Sequence, residues 1–340
     1  MKKLRVALVG RHANRTPLSY PVYRQLFEKK VQFVEDVYSA DAIILGYSID
    51  IECITPNFPG LIKNRPDLRF LVISEEPLWD SLSPNVMCDK EVIWHTSEGS
   101  VNIEVINHVT STVFDFSSIP YFLTTNSSYI ARYIRSLQWN LNNITPSALL
   151  SQWKRNKGSV VFMQQYRNSK EYNYSNSSLG VMGLSRYRSF LGDKIANKTL
   201  SNPCVALNDS MTRQQLPDWH LDKITRLRGT YSYLSCIENT LLNNYLTEKI
   251  FDAFATGNIP LYYANPEHRV FEFVDGRVIL NLFGLSVPES DTFVREHHPT
   301  LELANLYMDN VEALYNRFAN FNALHKERER VVNSIYKLIT

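Results

Sequence analysis

The chain has 340 residues, enough for two domains that each bury a core of their own. Its 36 Lys and Arg nearly balance 34 Asp and Glu, so the net charge of +2 predicts no general affinity for nucleic acid. The four cysteines are far apart in sequence, which excludes zinc-site spacing and disfavours a disulfide framework. No apolar run reaches the roughly 18 residues that span a membrane.

Short apolar strands alternate with helical segments through residues 1–150. Strands are predicted at 4–10, 31–34, 42–47, 70–73, 92–94 and 113–116, and helices at 23–27 and 128–137. This alternation predicts a Rossmann-like α/β domain. Gly10 ends the first strand without a G-x-G-x-x-G motif, so a dinucleotide-binding role is not favoured.

Two adjacent carboxylates, Glu75 and Glu76, follow the strand at 70–73. Ligands of open α/β sheets bind at the carboxyl ends of the strands, which is a suitable place for a general base. Neighbouring residues on an extended chain point to opposite sides, so we expect only one of the pair to face a ligand. The alternative is an acidic turn before Pro77.

The second domain is predicted over residues 151–340, after a polar linker at 140–156. A strand at 159–163, a polar loop at 164–178 and a helix that starts at Ser185 come first, and 205–211 continues the alternation. Arg186 and Arg188 lie in the first turn of that helix, where guanidinium groups can bind a diphosphate bidentately. The alternative is a solvated basic turn.

Residues 231–266 have the order strand, polar loop, helix, turn and strand, which is one unit of a parallel α/β sheet. Thr247 is predicted as the helix N-cap, and Gly257 as its left-handed C-cap. Lys249 and Asp252 lie off the apolar face of the predicted helix.

The N-terminus of this helix is suited to a phosphate group, because its N–H groups are unpaired there. Lys249 adds a positive charge, and Glu248 a carboxylate that can bind sugar hydroxyls. The alternative is an ordinary N-cap with two solvated charges. His220, within Asp218-Trp219-His220, is predicted to be solvated rather than catalytic. No metal site is predicted, since the histidines have no partners at ligand spacing.

The same stretch resembles the signature of the α-1,3/4-fucosyltransferases. The resemblance is carried by Tyr231-Ser232-Tyr233, Ile237-Glu238-Asn239-Thr240, Tyr245-Leu246-Thr247-Glu248-Lys249 and Gly257-Asn258-Ile259-Pro260. Ile237 replaces the usual Phe, and Ala264-Asn265 stands where the family often has Gly. The chain is therefore similar to a divergent member of that family.

The resemblance implies a GT-B architecture, in which two Rossmann-like domains face a cleft. Residues 1–150 would bind the acceptor and residues 151–340 the nucleotide sugar, with the terminal helix packing back on the first domain. The implied reaction is inverting transfer of L-fucose from GDP-β-L-fucose to a hydroxyl of an acceptor glycan, with an α-1,3-type linkage. No cofactor is required, although a divalent cation could stimulate the reaction.

The resemblance also implies the roles of individual residues. Those expected at the donor are Arg186 (with Phe190) or Arg188, Glu238, Asn239, Tyr245, Thr247, Glu248 and Lys249. Arg186 and Lys249 would bind the diphosphate, while Glu248 and Asn239 would hold sugar hydroxyls. Glu75 would be the catalytic base, with Glu76 as the alternative.

Two other functions stay open at the sequence level. The first is transfer of another GDP-deoxysugar, and the second is glycan or nucleotide binding without catalysis on a degenerate transferase fold. The expected partners are GDP-fucose and an oligosaccharide or glycolipid acceptor, with no nucleic acid and no membrane span. The resemblance is to bacterial-type enzymes without a membrane anchor, which predicts a cytoplasmic protein, compatible with peripheral association with the inner membrane.

Overall fold

The computed structural model describes residues 3–82, 87–156, 159–196 and 216–340. The predicted segment 205–211, together with Cys204, lies outside the described residues. The chain forms two compact units. The first comprises the chain up to Ser127 with Ser175–Val181 and Asn322–Thr340, and the second comprises Ser128–Tyr174 and Met182–Phe321.

The first unit contains a six-stranded sheet with the order β2-β1-β3-β4-β6-β5. Neighbouring strands are parallel except for the antiparallel pair β5 and β6. The strands are β1 (Leu4–Val9), β2 (Val31–Phe33), β3 (Ala42–Leu45), β4 (Arg69–Ile73), β5 (Glu91–Thr96) and β6 (Gly99–Ile106). Strand β6 was not predicted, although Val101, Ile103 and Val105 alternate with polar residues as in a half-buried strand.

The second unit contains a four-stranded parallel sheet with the order β13-β12-β10-β7. A separate antiparallel pairing joins β9 to β11. The strands are β7 (Val160–Val161), β9 (Val181–Gly183, whose first residue is the last of the segment Ser175–Val181), β10 (Tyr233–Ser235), β11 (Thr240–Leu241), β12 (Ile259–Tyr262) and β13 (Leu280–Asn281). Strand β8 (Ser175–Asn176) belongs to the first unit.

Helices occupy the connections between the strands. The α-helices are α1 (Pro21–Phe27), α2 (Ile54–Asn57), α3 (Leu61–Asn64), α4 (Pro77–Asp80), α5 (Tyr121–Thr124), α6 (Ser127–Asn143), α7 (Pro146–Arg155), α8 (Ser185–Ala196), α9 (Trp219–Leu227), α10 (Lys249–Thr256), α11 (Val287–Glu296), α12 (Leu301–Phe318) and α13 (Phe321–Ile339). The 3-10 helices are Pro17–Ser19, Val37–Ser39, Ser48–Cys53, Lys170–Tyr172, Ser177–Leu179, Arg269–Glu272 and Gly276–Val278.

Both faces of the first sheet are covered by apolar side chains. Because successive strand residues point to opposite faces, Ala42 and Ile44 pack in one cluster, whereas Ile43 and Leu45 pack in another. The first cluster includes four buried residues of α13, Val331, Val332, Ile335 and Ile339. A parallel sheet buried on both faces leaves its strand ends as the place for polar chemistry.

The predicted α/β class is confirmed, with a parallel sheet in each of the two units. The predicted strand at 113–116 is wrong, since residues 113–114 form a turn and residues 115–116 are irregular. The segment expected as a linker, 140–156, is largely helical and includes all of α7. Among the described residues, no helix combines the length and apolar character needed to cross a membrane.

Candidate functional site

Glu238 connects the end of β10 to the start of α10. Its carboxylate accepts hydrogen bonds from the backbone N–H of Thr247 at 2.9 Å and from the Thr247 hydroxyl at 2.7 Å. Lys249 Nζ donates to the other carboxylate oxygen at 2.7 Å. The Glu238 side chain is only 3% exposed, so these contacts fix the loop that leads into the helix.

Thr247 is not the N-cap that the sequence predicted. Helix α10 starts at Lys249, its N-cap is Glu248 in helical geometry, and no side chain caps it. The prediction fails because the Thr247 hydroxyl donates to Glu238, nine residues earlier in the chain. The predicted left-handed C-cap is confirmed, with Gly257 at φ 76° and ψ 28°.

Lys249 stays charged in this environment. Burial lowers the pKa of its ammonium group, but the carboxylates of Glu238 and Glu248 outweigh burial and raise it. Its Nζ lies 3.7 Å from Glu248 and also donates to the Thr247 hydroxyl at 2.8 Å. The pKa of Glu248 is lowered, because Lys249 and Lys223 together outweigh the effect of burial.

Asp252 forms a second charged layer beneath the start of α10. This residue was predicted to lie off the apolar face, yet it is fully buried. Its carboxylate pairs with Lys223 at 2.6 Å and with His220 at 2.7 Å, and accepts a hydrogen bond from Tyr133 at 2.6 Å. Burial raises the pKa of Asp252, but Lys223 and His220 outweigh it and hold the pKa well below its usual range.

The prediction of a solvated His220 is therefore wrong. Its side chain is 3% exposed and its ring nitrogens face Asp252 and Arg132, at 2.7 Å each. Asp252 is 32 residues away along the chain, so local sequence could not identify this partner.

The two arginines of α8 have different environments. Arg188 is 6% exposed and donates to the carbonyl oxygen of Ile237 at 3.1 Å, and its charge lowers the pKa of Lys249. Arg186 lies nearer the surface, donates to the carbonyl oxygen of Asn168 at 3.1 Å and lies 4.9 Å from the Phe190 ring centroid. The structure thus brings Arg188 close to Lys249, while Arg186 contacts the predicted aromatic partner.

Two further predicted donor residues have mainly structural contacts. Asn239 is half-buried, and its carbonyl oxygen accepts the N–H of Leu184 at 2.7 Å. Tyr245 is 2% exposed, and its backbone N–H donates to Leu242 at 2.9 Å. Both residues lie within the segment that connects β10 to α10.

Three buried hydroxyl groups near this loop were missed by the sequence reasoning. Ser235 closes β10, Tyr262 closes β12 and Ser185 begins α8. Their hydroxyl oxygens are buried and have no hydrogen-bond partner within the described part of the chain. Burial, followed by the charge of Glu238, raises the pKa of Tyr262. Buried polar groups normally have partners, so these three hydroxyls are exceptions within the described part of the chain.

In the first unit, Glu75 and Glu76 have separate structural roles. Glu75 is fully buried, and its carboxylate accepts hydrogen bonds from Tyr20 at 2.5 Å, Tyr121 at 2.8 Å and Arg15 at 3.2 Å. Glu76 is 8% exposed and is the N-cap of α4, where it accepts the N–H of Leu78 at 3.4 Å. Neither carboxylate is open to solvent.

A metal site is not evident from the side chains. Within residues 3–82, 87–156, 159–196 and 216–340, no group of three His, Cys, Asp or Glu side chains has the arrangement to hold a metal ion.

Comparison with known proteins gives structural similarity only. No family model matches the chain, and no curated protein sequence matches it. A crystal structure of an α1,3-fucosyltransferase with GDP-fucose is similar at 14% identity, with a TM-score of 0.48, over 96% of this chain and 90% of that chain. A second α1,3-fucosyltransferase structure has 14% identity and a TM-score of 0.43, over 92% and 81%. At these values, the interpretation of the site depends on its own residues.

Proposed function

We propose that this chain is an inverting glycosyltransferase that moves L-fucose from GDP-β-L-fucose to a hydroxyl of an acceptor glycan, most simply in an α-1,3 linkage. The observation that carries the proposal is the Glu238–Thr247–Lys249 cluster at the carboxyl end of β10. It consists of residues from the fucosyltransferase-like signature, and it lies where α/β sheets bind nucleotides.

Lys249 has the chemistry that the leaving group requires. Cleavage of the sugar–phosphate bond builds negative charge on the GDP phosphate, which a positioned cation stabilises. An ammonium group has three N–H donors, and Lys249 uses two of them on Glu238 and Thr247. Its side chain is 22% exposed, which leaves the third donor for a phosphate oxygen.

The charges around Lys249 cancel one another, so binding of a diphosphate requires a further cation. Glu238, Glu248 and Asp252 are balanced by Lys223, Lys249 and Arg188, so this cluster alone carries no net charge for a diphosphate. Arg186 supplies a further charge from outside the cluster. Only one of its five N–H donors has a partner among the described contacts, which is compatible with bidentate binding of the pyrophosphate.

The sugar hydroxyls require neutral or acidic partners beside these cations. We assign Glu248 and Asn239 to the ribose or fucose hydroxyls and Tyr245 to packing against the donor. The mechanism uses no metal ion, and a divalent cation would act only as a stimulant.

The proton acceptor, the acceptor glycan and the location stay predictions. Glu75, with Glu76 as the alternative, is the base that the resemblance suggests, although three donors already contact the Glu75 carboxylate. An oligosaccharide or glycolipid acceptor and a cytoplasmic location, with or without peripheral membrane association, follow from the resemblance alone.

A donor panel tests the proposal. The purified chain is incubated with GDP-fucose, other GDP-deoxysugars and UDP-sugars in the presence of N-acetyllactosamine-type, galactoside and glucosamine acceptors. We expect GDP release and a fucosylated product with GDP-fucose, with and without EDTA. Preference for another GDP-deoxysugar would be compatible with the proposed site but would change the assigned donor sugar. Thermal stabilisation by GDP without turnover would identify a binding protein and contradict the proposal.

A further inference from the structure

Lys223 is a buried lysine on the inner face of helix α9. Its side chain is 4% exposed, and lysine is rarely buried to this degree unless it is paired. The buried residues of α9 are His220, Lys223, Ile224 and Leu227, which have the i, i+3, i+4, i+7 spacing of one helix face. Lys223 therefore occupies a position that an apolar side chain ordinarily takes.

The ammonium group of Lys223 bridges two carboxylates at the start of α10. Its Nζ atom lies 2.6 Å from Asp252 Oδ2 and 3.8 Å from Glu248 Oε1. The two acids lie one helical turn apart, since the N–H of Asp252 donates to the Glu248 carbonyl oxygen at 3.0 Å. Like charges at this spacing repel each other, and the ammonium group between them offsets the repulsion.

Asp252 fixes the position of this ammonium group. Its Oδ1 atom accepts hydrogen bonds from the Tyr133 hydroxyl at 2.6 Å and from His220 Nε2 at 2.7 Å, and Oδ2 faces Lys223. Arg132 is a donor only and lies 2.7 Å from His220 Nδ1, so Nδ1 accepts and Nε2 carries the hydrogen that Asp252 receives. The carboxylate is thus held from one side and holds Lys223 on the other.

Glu248 keeps one carboxylate oxygen for a ligand. Its Oε1 atom lies 3.7 Å from Lys249 Nζ as well as 3.8 Å from Lys223 Nζ, so this oxygen is placed between two ammonium groups. Within the described part of the chain, no other residue donates a hydrogen bond to Oε2, which is not among the buried unpartnered atoms. The side chain is 16% exposed. An ionised carboxylate only accepts hydrogen bonds, so Oε2 is suited to a ligand hydroxyl group.

Stability alone does not account for a lysine at this place. Replacing a buried ion pair by apolar side chains of similar volume is often neutral or stabilising. Apolar residues at 223 and 252 would therefore serve the core as well as the pair does. Fixing the Glu248 carboxylate is a task that apolar residues could not perform.

We propose that Lys223, held by Asp252, is a positioning residue for Glu248 and, through Glu248, for a hydroxyl group of the GDP-sugar. This inference rests on the proposed function, in which Glu248 binds a hydroxyl group of the donor. The residues that carry it all belong to the second unit. Lys223 acts only through the carboxylate, whereas Lys249 acts on the carboxylate and on the phosphate.

A double-mutant cycle tests the inference. Lys223→Met is combined with Asp252→Asn, so that neither charge stays buried without its partner, and the pair of substitutions is made in wild type and in Glu248→Gln. For each protein, the thermal midpoint and the kcat and KM for GDP-fucose are measured. We expect the pair to lower kcat/KM by about 10-fold in wild type, mainly by raising KM. In Glu248→Gln its effect should be less than about two-fold, because groups that act through one another are not additive.

Asn140→Ala is the matched control. Asn140 is buried on α6 and donates to the carbonyl oxygen of Phe254, near the other end of α10. This variant should lower the thermal midpoint and leave kcat/KM unchanged. A comparable loss of kcat/KM in the control would assign the effect to loosening of α10 and would overturn the inference.

Two further results would also overturn the positioning role. One is an unchanged kcat/KM when Lys223→Met and Asp252→Asn are made in wild type, and the other is an equal loss in both backgrounds. A wild-type protein that turns over no GDP-fucose would instead overturn the proposed function, and this inference with it. Wild-type kcat/KM in Glu248→Gln would remove the assigned role of Glu248 and leave Lys223 nothing to position.

Discussion

Glu238 and Lys249 form a 2.7 Å ion pair across the loop that joins β10 to α10. The carboxylate also holds both the backbone and the hydroxyl of Thr247, so one buried acid positions the cation proposed to bind the donor phosphate. The structural role of Lys249 and its proposed catalytic role are therefore coupled, and experiments must separate them.

Lys249→Ala should lower turnover of GDP-fucose by about two orders of magnitude, because a preorganised charge at the leaving group is lost. The same substitution leaves Glu238 buried without its cation, so the thermal midpoint should fall as well. The double variant Lys249→Ala with Glu238→Gln should recover stability but not activity. Lys63→Ala, at an exposed position, is the control. Near-wild-type turnover in a folded Lys249→Ala protein would exclude the assigned role.

Asp252→Asn should destabilise the protein by about 3 kcal/mol at neutral pH, because it removes the 2.6 Å ion-pair partner of buried Lys223 and leaves only Glu248 at 3.8 Å. The pKa of Asp252 is lower in the folded protein than in the unfolded chain. Its contribution to the free energy of unfolding is therefore present above the unfolded pKa and is lost as the pH falls through the folded pKa. Chemical denaturation at neutral and acidic pH measures both effects. Asp309→Asn, at an exposed site of α12, should have little effect. Equal losses in the two variants would contradict the assignment of Asp252 as a buried charge.

The contribution of Asp80 to stability should have the opposite pH dependence. Burial raises its pKa to about 6, against hydrogen bonds from Ser48 and Ser74 that lower it. The folded state then binds a proton more tightly than the unfolded state, so stability falls as the pH rises from about 4 to above 6. The shift corresponds to about 3 kcal/mol at neutral pH. As the pH rises from 5 to 8, the thermal midpoint of the wild type should fall relative to that of Asp80→Asn. A difference that is constant over this range would show that Asp80 does not titrate there.

Gly10→Ala should disturb Asp50, whose carboxylate is hydrogen-bonded to His12. Gly10 has φ 102°, and an added Cβ would lie within 2.6 Å of three atoms of Asp50. Gly99 has φ 137° with nothing within 4 Å of such a Cβ, so Gly99→Ala isolates backbone strain of about 1–2 kcal/mol. We expect Gly10→Ala to lower the thermal midpoint more than Gly99→Ala does, because it adds a steric conflict with buried Asp50 to the backbone strain. Equal thermal midpoints in the two variants would show that the Asp50 side chain moves away from the added Cβ atom at little cost in stability.

Local patterns in the sequence predicted the regular elements of the fold better than the contacts of the site. The end of α10 was predicted correctly because Gly257 acts through its own backbone. The start was misplaced because Thr247 bonds to Glu238, which precedes it by nine residues. His220 and Asp252 are 32 residues apart, and Glu75 is 55 residues from Tyr20 and 46 from Tyr121. Such pairings depend on the tertiary fold, so no spacing rule could identify them.

The most direct test of the central claim is proton NMR spectroscopy of the wild-type reaction with GDP-β-L-fucose and an N-acetyllactosamine-type acceptor. We predict that the β-linked anomeric signal of the donor is lost as an α-fucoside signal of the acceptor appears, together with free GDP. A β-fucoside product would contradict inversion. Unchanged GDP-fucose with every acceptor of the panel would contradict the assignment of this chain as a fucosyltransferase.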